Sequence, residues 1–168
     1  MRISSDPKRR ETTKRVEAFK QECRNLKEYE QLEADAKQHA EELGNRIAGP
    51  RSPVWEKTGM AVSYTNNEPS SLIEDRDKWI ERAVIYHCIR CWIFKRIMSI
   101  RPPVIAHYVA RVCLNGESIQ AAADSVDMDP KALSVMIYNA ISNVMDDQAV
   151  ADLTDMKNKV ADNTIDIG

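Results

Sequence analysis

The chain has 168 residues, five glycines, 30% charged residues and a net charge of −2. Such a length suits one domain, or a small domain with a helical appendage, and the composition favours helix over sheet. The near-balanced charge means that nothing global advertises nucleic acid, so the distribution of charge carries the information.

Residues 1–15 hold Arg2, Lys8, Arg9, Arg10, Lys14 and Arg15 against Asp6 and Glu11, and are expected to form a basic, flexible arm. Over residues 16–48, Val16, Phe19, Cys23, Leu26, Tyr29, Leu32, Ala36, Ala40, Leu43 and Ile47 advance by threes and fours between polar residues. That pattern predicts one long amphipathic helix, suited to a helical hairpin or a coiled-coil-like arm. Residues 49–69 carry Pro50, Pro53, Gly59, Asn66, Asn67 and Pro69 with little periodicity, and are expected to form an irregular connector, either mobile or draped over the helices by Val54, Trp55 and Tyr64.

A second long helix is expected over residues 70–100, capped by Ser70 or Ser71. Its apolar face includes Leu72, Trp79, Ile80, Tyr86, Ile89, Trp92, Ile93 and Ile97, and is wider than a coiled-coil seam. The aromatic rings at helical spacing are core residues by this pattern rather than base-stacking platforms. Arg90, Lys95 and Arg96 interrupt the apolar run, which argues against a membrane span.

Residues 101–146 contain the most specific pattern. Pro102 and Pro103 start a short helix that Asn115 and Gly116 stop. Ser118 caps a second helix with Ile119, Ala122, Ala123 and Val126 on its apolar side. After Asp127, Met128 and Asp129 comes a third helix led by Pro130, with Leu133, Ile137, Ala140 and Ile141 inward. The small Ala123 permits a close crossing and Met128 plugs the turn, giving a helix-turn-helix. Beyond it, residues 147–168 form an acidic tail with a weakly amphipathic helix around Val150, Leu153, Met156 and Val160, frayed from Asp162 onward.

The order of proline-led helix, Gly-bearing turn, Ser-capped helix and final helix resembles the fourth conserved region of bacterial sigma factors. The whole arrangement, with the Gly49 to Pro53 junction between two long helices, resembles the small bacteriophage transcription regulators of the RinA, ArpU and LtrC type. The sigma-like turn usually has Gly where this chain has Asp127, a residue that tolerates left-handed backbone better than most. The resemblance implies a recognition helix from Pro130 to Asn143, with Lys131, Ser134, Val135, Tyr138 and Asn139 facing bases. It further implies a cytoplasmic regulator of late or packaging genes in a host cell, acting on double-stranded DNA and host RNA polymerase. A homo-oligomer formed through the long helices is expected with it.

From Arg101 to Asp147 the chain has three basic residues against six acidic ones, so phosphate contacts must come largely from elsewhere. The candidates are Arg9, Arg10, Lys14, Arg15, Lys95, Arg96, Arg101 and Arg111. Two further readings stay open: a module that docks on RNA polymerase or another phage protein with little DNA contact, and a small subunit for DNA packaging. His87, Cys88 and Cys91 are weak metal candidates, because a mid-helix Cys-x-x-Cys in apolar surroundings suits buried thiols better than a zinc knuckle. No phosphate loop, nucleophile elbow or His with a carboxylate orienter is evident, so neither an enzyme nor a cofactor is expected.

Overall fold

The computed structural model describes residues 6–48 and 68–164, and every regular element among them is helical. The connector expected over 49–69, including Val54, Trp55 and Tyr64, lies outside the described residues apart from its last two positions, which are helical.

Helix α1 runs Pro7–Arg24. Asp6 caps it by accepting a bond from the Lys8 N–H at 3.1 Å, and Pro7 occupies the first turn, where no intrahelical N–H partner is needed. The arm expected to be flexible is therefore helical from residue 7. Helix α2 spans Leu26–Ala48, so the single long helix expected there is two helices, parted at Asn25. Two causes coincide at that point. Asn competes poorly for the helix interior, and the buried positions slip from Leu26 to Tyr29, a step of three following a step of three. Phe19 and Cys23 can then face the C-terminal half of the molecule while Tyr29, Ala36 and Ala40 face the next helix.

That helix, α3, spans Glu68–Met98 and pairs with α2 as an antiparallel hairpin. Gly44 lies against Arg76, the His39 ring stacks on Trp79 at 4.2 Å, and Tyr29 meets Tyr86 at 6.2 Å. Ser70 and Ser71, expected as caps, lie within the helix. At the far end, Arg101 Nη1 donates to the carbonyls of Met98 and Ile100, at 2.8 and 3.2 Å, and satisfies carbonyls that the helix end would leave open.

Helix α4, Pro103–Val109, continues as one π turn over Ala110–Leu114 and stops at Gly116, whose φ of +71° suits a residue without Cβ. Helix α5, Ile119–Ser125, is capped by Ser118, which accepts from the Ala121 N–H; α6, Pro130–Val144, is capped by Asp129, which accepts from the Ala132 N–H. Between them Met128 N–H bonds the Ala123 carbonyl and Asp127 N–H the Asp124 carbonyl, the two bonds of a Schellman motif. Asp127 takes the left-handed position of that motif, with φ +54°. Both helices thus start at the caps expected for them, with the turn between.

The last helix, α7, spans Asp147–Asp162. It is a packed element rather than a loose tail. Ala149 and Leu153 are buried in the core, and Asn163, expected to fray, is itself buried. Its amide donates to the Lys78 carbonyl and to Glu81, while its side-chain oxygen accepts from Arg82 Nε at 3.1 Å. Seen from α3, α2 covers one side and α7 another, and α1 with α4 to α6 gathers around its C-terminal half, where Phe19, Ile89, Ile93, Leu133, Ile137 and Ile141 form one core.

Candidate nucleic-acid interface

Helix α6 turns Leu133, Ile137, Ala140 and Ile141 inward, at spacings of four, three and one. The opposite face follows from the same 3.6-residue period. Lys131, Ser134, Val135 and Asn139 are exposed on one side of the helix, whereas Tyr138, on the same side, is half-buried with its hydroxyl against α1.

Alongside this face lies α1, running antiparallel to α6. Thr13 Oγ1 and the Tyr138 hydroxyl are 3.0 Å apart; further along, Lys20 and Arg24 line a depression with Ser134, Ile137 and Gly116. At the other end Arg15 donates to the Met145 carbonyl at 3.2 Å and to Asp147 at 2.5 Å. Positions 9, 13, 20 and 24 fall on one stripe of α1 by their spacing of four, seven and four. Lys20 and Arg24 thereby border the exposed side of α6, and Arg9 falls on the same stripe by its spacing. Burial pushes the Cys113 thiol up, and Lys20 and Arg24 oppose that shift, which places both cations close to the α4 end of the same surface.

The eight predicted phosphate contacts divide accordingly. Arg9, Lys14 and Lys95 are exposed and form no ion pair among the described residues, and Arg10 is exposed as well. Arg15 is held by Asp147 and Glu11, and its guanidinium is raised above its ordinary value by the Asp147 hydrogen bond. Arg111 is raised likewise by Glu117, which it grips with two hydrogen bonds at 2.8 and 2.6 Å. Arg101 caps α3 and Arg96 is half-buried. Lys20 and Arg24 are absent from the sequence-based set because residues 16–43 are acidic in sum. Only the apposition of α1 and α6, more than a hundred residues apart, shows where these two cations point.

The metal candidates are arranged differently from expectation. Cys88 and Cys91 are exposed, whereas Cys23 and Cys113 are the buried thiols. Cys91 Sγ lies 3.4 Å from His87 Nε2, and His87 Nδ1 lies 3.1 Å from Glu33, a carboxylate already held by Arg90 and Lys37. Among the described residues no three ligands converge on a point that would hold a metal ion. Trp92 and Tyr86 are buried and Trp79 is half-buried against His39, so these rings serve the core. Among the same residues no helix is long and apolar enough to cross a membrane.

Comparison of the chain with family models, with curated proteins and with solved structures finds no match.

Proposed function

We propose that the protein is a non-enzymatic, DNA-binding transcription regulator of the bacteriophage late-gene type, with α6 entering the major groove. The observation that carries this reading is the pairing of two surfaces. The exposed side of α6 offers Lys131, Ser134 and Asn139 for base edges, and the α1 stripe beside it offers Arg9, Lys20 and Arg24 for phosphates. Asn suits bidentate contact with adenine, and Val135 suits a thymine methyl. The helix-turn-helix need not itself be basic when a neighbouring helix supplies the charge.

Fluorescence anisotropy of a labelled promoter-region duplex tests this. Three phosphate contacts predict a loss of affinity of roughly forty-fold between 50 and 200 mM salt. Lys20→Glu with Arg24→Glu flattens that slope, whereas Asn139→Ala relaxes sequence preference and leaves the slope in place. Absence of binding at low salt, or binding without a salt slope, refutes the proposal.

A second reading has one observation in its favour. Asp124, Asp127 and Asp129 are exposed around the turn that leads into α6, where a DNA backbone would pass. In that reading the same face docks on RNA polymerase. Capture of purified polymerase that survives Lys131→Glu and Asn139→Ala, together with no affinity for duplex, selects it.

A further inference from the structure

Helix α3 carries an apolar stripe that stays largely exposed among the described residues, with Ile80, Val84 and His87 bordering α2 along one edge. Ile73, Ile80, Val84, Phe94 and Met98 are all exposed, Val84 to 54% and Met98 to 73%. Asp77, His87 and Cys91 complete the series, so the positions 73, 77, 80, 84, 87, 91, 94 and 98 alternate steps of four and three without a break. A strict 3.5-residue repeat marks a seam against another helix rather than the broad face of a helix buried in its own domain. The helix has such a broad face elsewhere, formed by Ile85, Ile89, Trp92 and Ile93, and that one is buried. Beside the stripe, between α2 and α3, runs an apolar groove of about 450 Å³ bordered by Ala40, Ala83 and Val84, where small residues leave room for a knob from outside.

We propose that this stripe is the seam of a homodimer in which the α3 helices of two copies run antiparallel. This goes beyond the DNA-binding reading and stands without it. The charges select both the occupant and its direction. In an antiparallel seam Ile73 meets Met98 of the second copy, Ile80 meets Cys91 and Val84 meets His87. Glu74 and Lys95, flanking the stripe on its outer side, then face each other twice across the symmetry axis. A parallel seam would set Asp77 against Asp77, like charges at close range, whereas the antiparallel one sets each Asp77 against Phe94 of the second copy.

The chain's own connector cannot take the whole place. The nineteen residues 49–67 leave Ala48 and must return to Glu68. Their out-and-back reach is about 31–34 Å at full extension. Met98 lies about 45 Å along the helix from Glu68.

Sedimentation equilibrium of the full chain tests the seam. A mass of twice the 19.1 kDa chain is expected, and Val84→Glu with Met98→Glu should return it to a single chain mass with the helical circular dichroism unchanged, because both residues are exposed. A monomeric wild-type protein at about 100 μM, or a dimer that ignores both changes, overturns the proposal; monomer is also the outcome if the connector is what covers the stripe. Direction is read in a Cys88→Ser background treated with diamide, which takes two electrons and two protons from each thiol pair. Ile80→Cys should then give a covalent dimer through Cys91, whereas Cys91 in that background without Ile80→Cys should not. A covalent dimer without Ile80→Cys would mean that the copies run parallel, and the antiparallel seam falls.

Discussion

In the α2–α3 hairpin the carboxylate of Glu33 is buried, only 4% exposed, between Arg90, Lys37 and His87, while Val84 and Met98 stand in solvent. Around α6 the arrangement is reversed, since Leu133, Ile137 and Ile141 are buried and Lys131, Ser134 and Asn139 are exposed. The helix-turn-helix end therefore keeps its core aliphatic, and its exposed apolar residues, Val104 and Val135, stand singly rather than in a stripe. The hairpin instead leaves an aliphatic stripe on its outer face. A helix that exposes aliphatic side chains in heptad register, and satisfies its buried charge within its own pair, has an outer face suited to a further helix. The comparison also explains the break at Asn25, for the first helix belongs to one end and the second to the other.

The sharpest way to break the comparison is to remove the aliphatic and aromatic packing of the helix-turn-helix end. Phe19 is fully buried, with its ring 6.0 Å from that of Trp92, and joins α1 to α3. Phe19→Ala is expected to cost about 3–5 kcal/mol in unfolding free energy, through lost burial and the cavity left behind. Urea denaturation followed by circular dichroism measures it. A cost below about 1 kcal/mol would mean that α1 is not integral to that end, and the basic stripe would lose its fixed position beside α6.

A smaller effect is expected from the buried charge of the hairpin. Glu33→Gln leaves Arg90 without its closest carboxylate; because the Arg90 side chain keeps 27% of its exposure, water screens part of the loss, and about 1–3 kcal/mol is expected. The sign with pH follows from the carboxyl. Burial pushes Glu33 up, but the hydrogen bonds from Arg90 and Lys37 outweigh it and hold the group below its ordinary 4.5. A depressed folded-state value means stability fully present above 4.5 and lost as pH falls through the lower folded value. Denaturation midpoints between pH 7 and 3 should therefore fall less steeply in Glu33→Gln than in the wild type. Parallel curves would show that this carboxylate does not couple folding to protons.

The two ends also differ in what their sequences reveal. Ser118, Asp129 and Pro130 are local signals whose physical effect is complete within four residues, so the helix-turn-helix and its exposed face could be read from the chain directly. Asn163 carries no such signal. Its three side-chain hydrogen bonds reach Lys78, Glu81 and Arg82, some eighty residues away, and only the packing of α7 on α3 shows that this residue is an anchor. The same holds for Lys20 and Arg24, whose role depends on the antiparallel run of α1 beside α6. Cys88 and Cys91 sit among Ile and Trp in the sequence, which suggests burial; on a helix those neighbours point to other sides, and the thiols are exposed.

The least of the expected effects lies in the turn between α5 and α6. Asp127 closes the Schellman motif with φ +54°, a conformation that crowds the Cβ of every residue except glycine and that Asp tolerates better than most. Its side chain is exposed, so little is lost with it. Asp127→Gly relieves the strain but increases the freedom of the unfolded chain, and the balance at a left-handed position favours the folded state by roughly 0.5–1 kcal/mol. That corresponds to about 1–4 °C in melting temperature for a chain of this size. Asp127→Val, which adds a branch at Cβ in the same conformation, should shift the midpoint the other way by at least as much. If both variants melt with the wild type, the motif contributes nothing to stability, and the close crossing of α5 and α6 must rest on Ala123 and Met128 alone. If Asp127→Gly also tightens duplex binding at low salt, the lost carboxylate lay near phosphate, which would place the turn, and with it the start of α6, against DNA rather than against a protein partner.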